Sequence, residues 1–295
     1  MKSHRSGLLS QRVAKARRRL SACCLCPRRC NADRTGRRET GVCNTFENAW
    51  VSSFHPHFGE EAPLVGLQGS GTVFFTHCNL LCSFCQNYDI SHEGAGHEVT
   101  DAQLAAMMLS LQNEGCHNIN FVTPSHVVPS ILSAVEIACS HGLSIPLVYN
   151  SGGYDRVETL RLLEGVFDIY MPDFKFWDSN TAEMTCNAPD YAEAARKAIR
   201  EMYRQVGDLV LDKRGIAQRG LLVRHLVLPE GRADTREIMR FISREISTDT
   251  YVNIMSQYRP CGRAKDIEPF QRSVSRSEFL DALHAAKAEG ITRLD

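Results

Sequence analysis

Three cysteines carry the sharpest chemical signal in this chain. Within residues 69–89, Cys78, Cys82 and Cys85 stand at C-x3-C-x2-C spacing. They follow Thr72–Phe75 directly, a β-branched and aromatic run that reads as a strand ending in a loop. Three thiolates converging on one point can bind three irons of a four-iron cubane and leave the fourth open to another ligand. The competing reading is a zinc site completed by His77 or a distant thiolate, because zinc also takes sulfur and imidazole. Paired C-x2-C knuckles are the more usual zinc pattern.

With aromatic Phe84 before its last cysteine, this loop resembles the signature of the radical S-adenosylmethionine (SAM) enzymes. Cys85-Gln86-Asn87 is similar to the cysteine-X-asparagine continuation of the glycyl-radical-enzyme activases, such as the pyruvate formate-lyase activating enzyme. So are Gly69-Ser-Gly-Thr, Asn118-Ile-Asn, Pro172-Asp-Phe-Lys, Arg224-His-Leu-Val-Leu-Pro and Gln257-Tyr-Arg-Pro, spread over residues 22–294. The resemblance implies a [4Fe–4S] cluster on Cys78, Cys82 and Cys85, with SAM chelated on the open iron. It also implies an electron donor such as flavodoxin or ferredoxin, and reductive cleavage of SAM to a 5′-deoxyadenosyl radical that abstracts hydrogen. In the activases the hydrogen comes from a glycine of a partner protein. Radical modification of a small molecule or of another protein residue is a second enzymatic reading. A non-catalytic reading is a zinc-stapled module binding protein or nucleic acid, although no aromatics interleave with the basic residues to stack on bases.

The same resemblance suggests further site residues. Phe84 is the candidate to lie along the adenine. Where relatives carry Gly-Gly-Glu after the second strand, this chain has Thr123-Pro-Ser-His126. Thr123, Ser125 or His126 would then receive the SAM amino group through hydroxyl or neutral imidazole. Asn150 suits a ribose or carboxylate contact, or else a turn before Gly152 and Gly153. Asp173 and Lys175 match the activases' Asp-X-Lys element and, two apart on extended chain, share a face; a mutual surface ion pair is the plain alternative. Arg224 and His225 are neighbours in a strand, so at most one faces inward. Arg224 suits a bidentate grip on a carboxylate. Cys116, Cys139 and Cys186 read as small buried residues.

These groups need a scaffold that brings strand ends together. From Thr72 onward strand and helix signals alternate, with strands at 72–75, 118–122, 145–149, 167–171, 221–228 and 251–255. Helices are expected at 102–112, 131–140, 157–163, 191–206, 235–246 and 279–288. Six strand–helix units imply parallel strands with right-handed crossovers. Six are fewer than the eight of a closed barrel, so the expected fold is α/β, a partial (β/α)6 barrel, with chemistry on the rim where the strands end.

Three segments are expected: a basic, cysteine-rich extension (1–44), a connecting segment (45–68) and the barrel (69–295). In the extension Cys23, Cys26, Cys30 and Cys43 have C-x2-C-x3-C-x12-C spacing, which suits structural zinc, a second iron–sulfur cluster, or reduced thiols. Residues 1–38 hold twelve of the 34 Lys and Arg against the single acid Asp33; a solvated helix or arm, with a short basic helix over 8–20, is the expected form. The Arg-rich, acid-poor start also has the composition of a transit peptide, which the neighbouring cysteines argue against. The connecting segment holds His55-Pro-His-Phe-Gly-Glu-Glu, whose two histidines and two acids could bind a metal or protonate a substrate, but Pro56, Gly59 and Pro63 favour a lid loop with solvated acids. Twelve cysteines in 295 residues are too sparse for a secreted disulfide scaffold, so a reducing cytoplasm is expected. No apolar run approaches a membrane span.

Overall fold

The structure, a computed structural model, describes residues 7–295. The first six residues of the basic extension lie outside the described residues. Six parallel strands form the body of the sheet: β2 (Ser70–Phe75), β4 (Ile119–Val122), β5 (Leu147–Ser151), β6 (Ile169–Pro172), β8 (Ala217–Leu226) and β9 (Tyr251–Met255). They pair in that order, as a partial barrel of six parallel strands requires. Antiparallel β1 (Ala49–His57) extends the sheet beyond β2, followed by β3 (His97–Val99), and short β7 (Val210–Leu211) pairs with β8.

The intervening helices follow the punctuation of the sequence. The helix α4 (Asp101–Asn113) opens on a capping box in which the Thr100 side chain accepts from Gln103 N–H while Gln103 accepts from Thr100 N–H. It packs beside α5 (Val128–Ser140). The helices α6 (Val157–Leu163) and α8 (Tyr191–Val206) have the expected ends, and α10 (Arg276–Ala288) carries a second capping box, at Ser275 and Glu278. The expected helix over 235–246 is divided into α9 (Thr235–Phe241) and a π-helical turn at Ile242–Ile246.

The connecting segment departs from the lid reading. Residues 49–57 alternate well enough to pair with β2 along its length, despite Pro56, because β1 lies near the sheet edge, where proline is tolerated. After it, the short helix α2 (Ala62–Val65) turns into the barrel interior. Leu64 packs there with Val148, Met171 and Leu222, and its carbonyl accepts from Asn118 Nδ2 at 2.9 Å. The segment is a plug for the barrel floor. Glu61, expected to be solvated, is buried and accepts from Asn253 Nδ2 on β9 at 2.9 Å.

The extension also departs from a solvated arm. The helix α1 (Leu8–Arg18) lies against α5 through buried Leu9 and Ala16. Arg17 Nη2 grips both carboxylate oxygens of Asp101 at 2.7 and 2.6 Å. Arg28 donates to the carbonyls of Asn79, Leu80 and Cys186 at 3.0, 3.1 and 2.7 Å, which fastens the extension to the cysteine loop after β2. Several of its basic side chains thus serve as hydrogen-bond donors to the barrel. No helix among the described residues is long and apolar enough to cross a membrane.

Candidate active site

A cavity of about 380 Å³ opens at the rim where the parallel strands end. Cys78, Cys82 and Cys85 form one wall, on the loop after β2. Leu81, at φ 56°, lies in the left-handed region and lets this loop turn tightly between the first two cysteines. Asp173 and Lys175 approach from the end of β6, Arg224 from β8 and Asn150 from β5.

Charged groups in this cavity are organised around Asp173. Its Oδ2 meets Lys175 Nζ at 2.5 Å and its Oδ1 accepts from Arg224 Nε at 2.8 Å. Arg224 Nη2 donates to Asn150 Oδ1 at 2.7 Å, and Nη1 lies 3.3 Å from Glu60 Oε2. Burial opposes ionisation of Asp173, but Arg224 and Lys175 together hold its carboxyl below the usual range. Burial likewise opposes the charge on Lys175, and the Asp173 carboxylate overcomes it, raising the ammonium pKa. Burial pushes Glu60 up to about 7, with Arg224 pulling against it. Asn150 Nδ2 is buried without a hydrogen-bond partner among the described residues, which leaves a donor available at the cavity wall.

Burial pushes Cys78 up to about 12 and raises Cys85, and a hydrogen bond with Cys186 followed by burial raises Cys82. Among the described residues no three Cys, His, Asp or Glu side chains already stand as a metal-binding group, so metal binding must both deprotonate and draw in the sulfurs. The surroundings favour that change. Leu80 N–H donates to Cys78 Sγ at 3.4 Å, and Lys175 favours the thiolate forms of Cys82 and Cys85. Three sulfurs on one wall, with an ammonium and amide N–H groups beside them, fit a [4Fe–4S] cluster with one open iron.

The family assignment comes from comparison with known proteins. Residues 72–242 match the model of the radical SAM superfamily. The chain belongs to that superfamily. It is also 31% identical over 287 residues to an uncharacterized protein of Methanocaldococcus jannaschii, covering 95% of this chain and 78% of the relative. Membership implies a [4Fe–4S] cluster and SAM as cofactors, and a reductant of the flavodoxin or ferredoxin kind. The radical SAM match begins at Thr72, inside β2, and takes in all three cysteines of the loop.

The other residues suggested by the sequence are divided by the structure. Thr123, Asn150, Asp173, Lys175 and Arg224 all line the cavity. Phe84 reaches its wall but is only 4% exposed, with its ring edge-on to Phe176 and Tyr258 at 5.9 and 5.6 Å. Ser125 and His126 are not on the lining. Ser125 is buried beside Tyr149 and Asp155. The His126 Nε2 is 3.0 Å from the Thr76 carbonyl behind the cysteine loop, and burial pushes its pKa down to about 3. His225, on the face opposite Arg224, bonds the Phe174 carbonyl and Thr235 Oγ1. Glu60, which reads in the sequence as a solvated loop acid, lines the cavity, and Cys186, which reads as a small buried residue, adjoins Cys82. The only signal for Glu60 was a pair of adjacent acids within a segment otherwise punctuated by proline and glycine.

Proposed function

We propose that this radical SAM protein abstracts hydrogen from a polypeptide glycine, as an activase of a glycyl radical enzyme. The observation that carries the reading is the Asp173–Lys175 pair beside the three-cysteine wall. It matches the Asp-X-Lys element of the activases both in sequence and in its position at the rim. Cys78, Cys82 and Cys85 would hold the cluster, which, bound and reduced, would supply the electron that splits the sulfonium–carbon bond of SAM. Lys175, Arg224 and Asn150 present N–H donors of the kind a carboxylate or ribose needs, and Thr123, in the stretch that stands in place of Gly-Gly-Glu, brings a hydroxyl to the cavity lining. Leu80, Leu81 and Phe84 surround the thiols with apolar surface and restrict water.

Cavity size supports a macromolecular substrate. A volume of about 380 Å³ lies near the lower end of the range for small-molecule sites. With SAM in place the substrate must approach from the rim, which a narrow glycine-bearing loop can do.

The test is electron paramagnetic resonance of anaerobically reconstituted, reduced protein mixed with SAM and candidate glycyl radical enzymes. A glycine-centred doublet on the partner, with one 5′-deoxyadenosine formed per radical, is the expected result. Robust 5′-deoxyadenosine production with no glycyl signal on any candidate would reject the activase reading in favour of another substrate.

A further inference from the structure

We propose that Cys23, Cys26, Cys30 and Cys43 form a second metal centre, a closed four-thiolate shell holding one zinc ion that staples the N-terminal segment to the cysteine loop after β2. The fold brings these thiols together by backbone pairing. Cys23 N–H donates to the Ala32 carbonyl, and Asn31 N–H to the Cys23 carbonyl, both at 2.9 Å, which lays residues 30–32 alongside Cys23. Cys30 then packs against Leu20, Cys23 and Leu25. A turn closed by Asn44 N–H on the Gly41 carbonyl at 2.9 Å returns Cys43 to the same place. Gly41 marks the convergence: a Cβ there would stand 2.5 Å from Cys30 Sγ and 4.0 Å from Cys43 Sγ. The sulfurs occupy the space that any side chain at Gly41 would fill. Cys26 completes the set: it is buried, on a turn closed by Arg29 N–H on the Cys26 carbonyl at 3.2 Å.

The surroundings are built for negative charge. Arg34 is 1% exposed, and its Nη1 donates to Cys23 Sγ at 3.4 Å. Its remaining hydrogen bonds go to the carbonyls of Phe46 and His126, and it has no carboxylate partner among the described residues. A buried guanidinium surrounded only by neutral groups is costly. Four thiols that lose their protons to solvent as they bind Zn²⁺ form a dianionic shell, which is the counter-charge Arg34 lacks. Cys23, Cys26 and Cys43 are all buried, and four thiolates leave no open position, which is the arrangement of a structural zinc. Gly41, with no side chain, lets the backbone close over the Cys30 sulfur, and four thiolates around one ion need no room for bridging sulfides. As at the loop after β2, the sulfurs are neighbours that metal binding draws in.

Through Arg28, two residues beyond Cys26, this centre buttresses the carbonyls of Asn79 and Leu80 between Cys78 and Cys82. The test is zinc and iron content per chain in anaerobically reconstituted protein, for the parent, Cys26→Ser/Cys43→Ser and Cys82→Ala. One zinc in the parent, lost in the double variant and retained in Cys82→Ala, is expected, with zinc-edge X-ray absorption showing four sulfur neighbours at about 2.3 Å. Should the double variant fail to fold, cobalt titration of the zinc-depleted parent decides through the thiolate-to-cobalt charge-transfer bands. Arg34→Met should lower the cobalt affinity about 10- to 100-fold. A parent without zinc and without those bands, or iron in place of zinc at these cysteines, would overturn the proposal. So would zinc that follows Cys82 rather than Cys26 and Cys43.

Discussion

Arg224 Nε donates to Asp173 Oδ1 at 2.8 Å across a parallel bridge that joins the two backbones at the ends of β6 and β8. The guanidinium and carboxylate are therefore fixed by the sheet itself, with Lys175 on the other carboxylate oxygen. Replacing Asp173 by Asn removes the charge that both cations share while leaving them buried. Breaking such a pair from one side costs about 3–5 kcal/mol. Urea denaturation of Asp173→Asn should show a loss of that order; an unchanged midpoint and slope would show that Glu60 and Glu61 suffice as counter-ions.

Cys82 is the middle ligand of the proposed cluster and is 8% exposed. Its sulfur contributes little packing that alanine cannot replace, so Cys82→Ala should keep the circular dichroism spectrum of the parent. Iron and labile sulfide after reconstitution should fall to background, together with 5′-deoxyadenosine formation. A variant that retained four irons would remove Cys82 from the ligand set.

Arg28 holds the cysteine loop from outside through charge-assisted hydrogen bonds to Asn79, Leu80 and Cys186 carbonyls. Bonds to a charged group contribute about 1.5–3 kcal/mol each, with partial replacement by water after truncation. Arg28→Ala is expected to destabilise the protein by about 3 kcal/mol and to hasten cluster loss in air, measured as bleaching of the cluster's visible absorption. Arg28→Lys should restore only part of the stability, because one ammonium cannot span all the carbonyls.

The strand ends were readable because each parallel strand is a short apolar run stopped by a polar or glycine-rich loop. Tyr251–Met255 and Val157–Leu163 appear in the structure with the bounds their residues suggest. Long-range electrostatics was not readable in the same way. Glu60 and Glu61 look like solvated loop acids until Arg224, far along the chain, is placed above them. Arg17 and Arg34 look like parts of a solvated arm for the same reason: their partners are Asp101 and the carbonyls of Phe46 and His126. The helix α7 (Ser179–Cys186) has no counterpart among the expected helices, although Asp178 caps it by accepting from Thr181 N–H at 2.7 Å, a signal that sequence does carry. Ser125 and His126 follow a strand end as the family pattern asks, yet Pro124 separates them from Thr123. They turn to the helix side of the sheet, away from the cavity.

Glycine 153 offers a steric test of the rim. Gly153 has φ 75°, and a Cβ there would lie 2.1 Å from the Asp173 carbonyl oxygen. Since that contact is with backbone, no rotamer change relieves it, and β6 would have to shift. Gly153→Ala should lower stability by more than the roughly 1 kcal/mol set by the left-handed backbone alone, and weaken SAM binding measured by calorimetry. Equal SAM affinity in parent and variant would show that the Asp173–Lys175 pair does not contact the cofactor.

Two buried histidines set the acid limit of the fold. Burial pushes His126 down to about 3 and His225 down to about 4, each held neutral against a backbone carbonyl. Both folded values lie below the usual value of about 6.5 for an exposed histidine, so the unfolded chain binds more protons at mildly acidic pH. Their contribution is complete above about pH 6.5 and is lost as pH falls toward the folded values, at about 1.4 kcal/mol per pH unit for each histidine. The free energy of unfolding, measured by urea titration between pH 6.5 and 4.5, should therefore decline with a slope to which each histidine adds. His126→Gln keeps an N–H donor for the Thr76 carbonyl but cannot titrate, so its slope should be shallower by about 1.4 kcal/mol per pH unit. Identical slopes would mean that His126 is protonated in the folded protein, and that the Thr76 carbonyl and nearby water stabilise the imidazolium despite its burial.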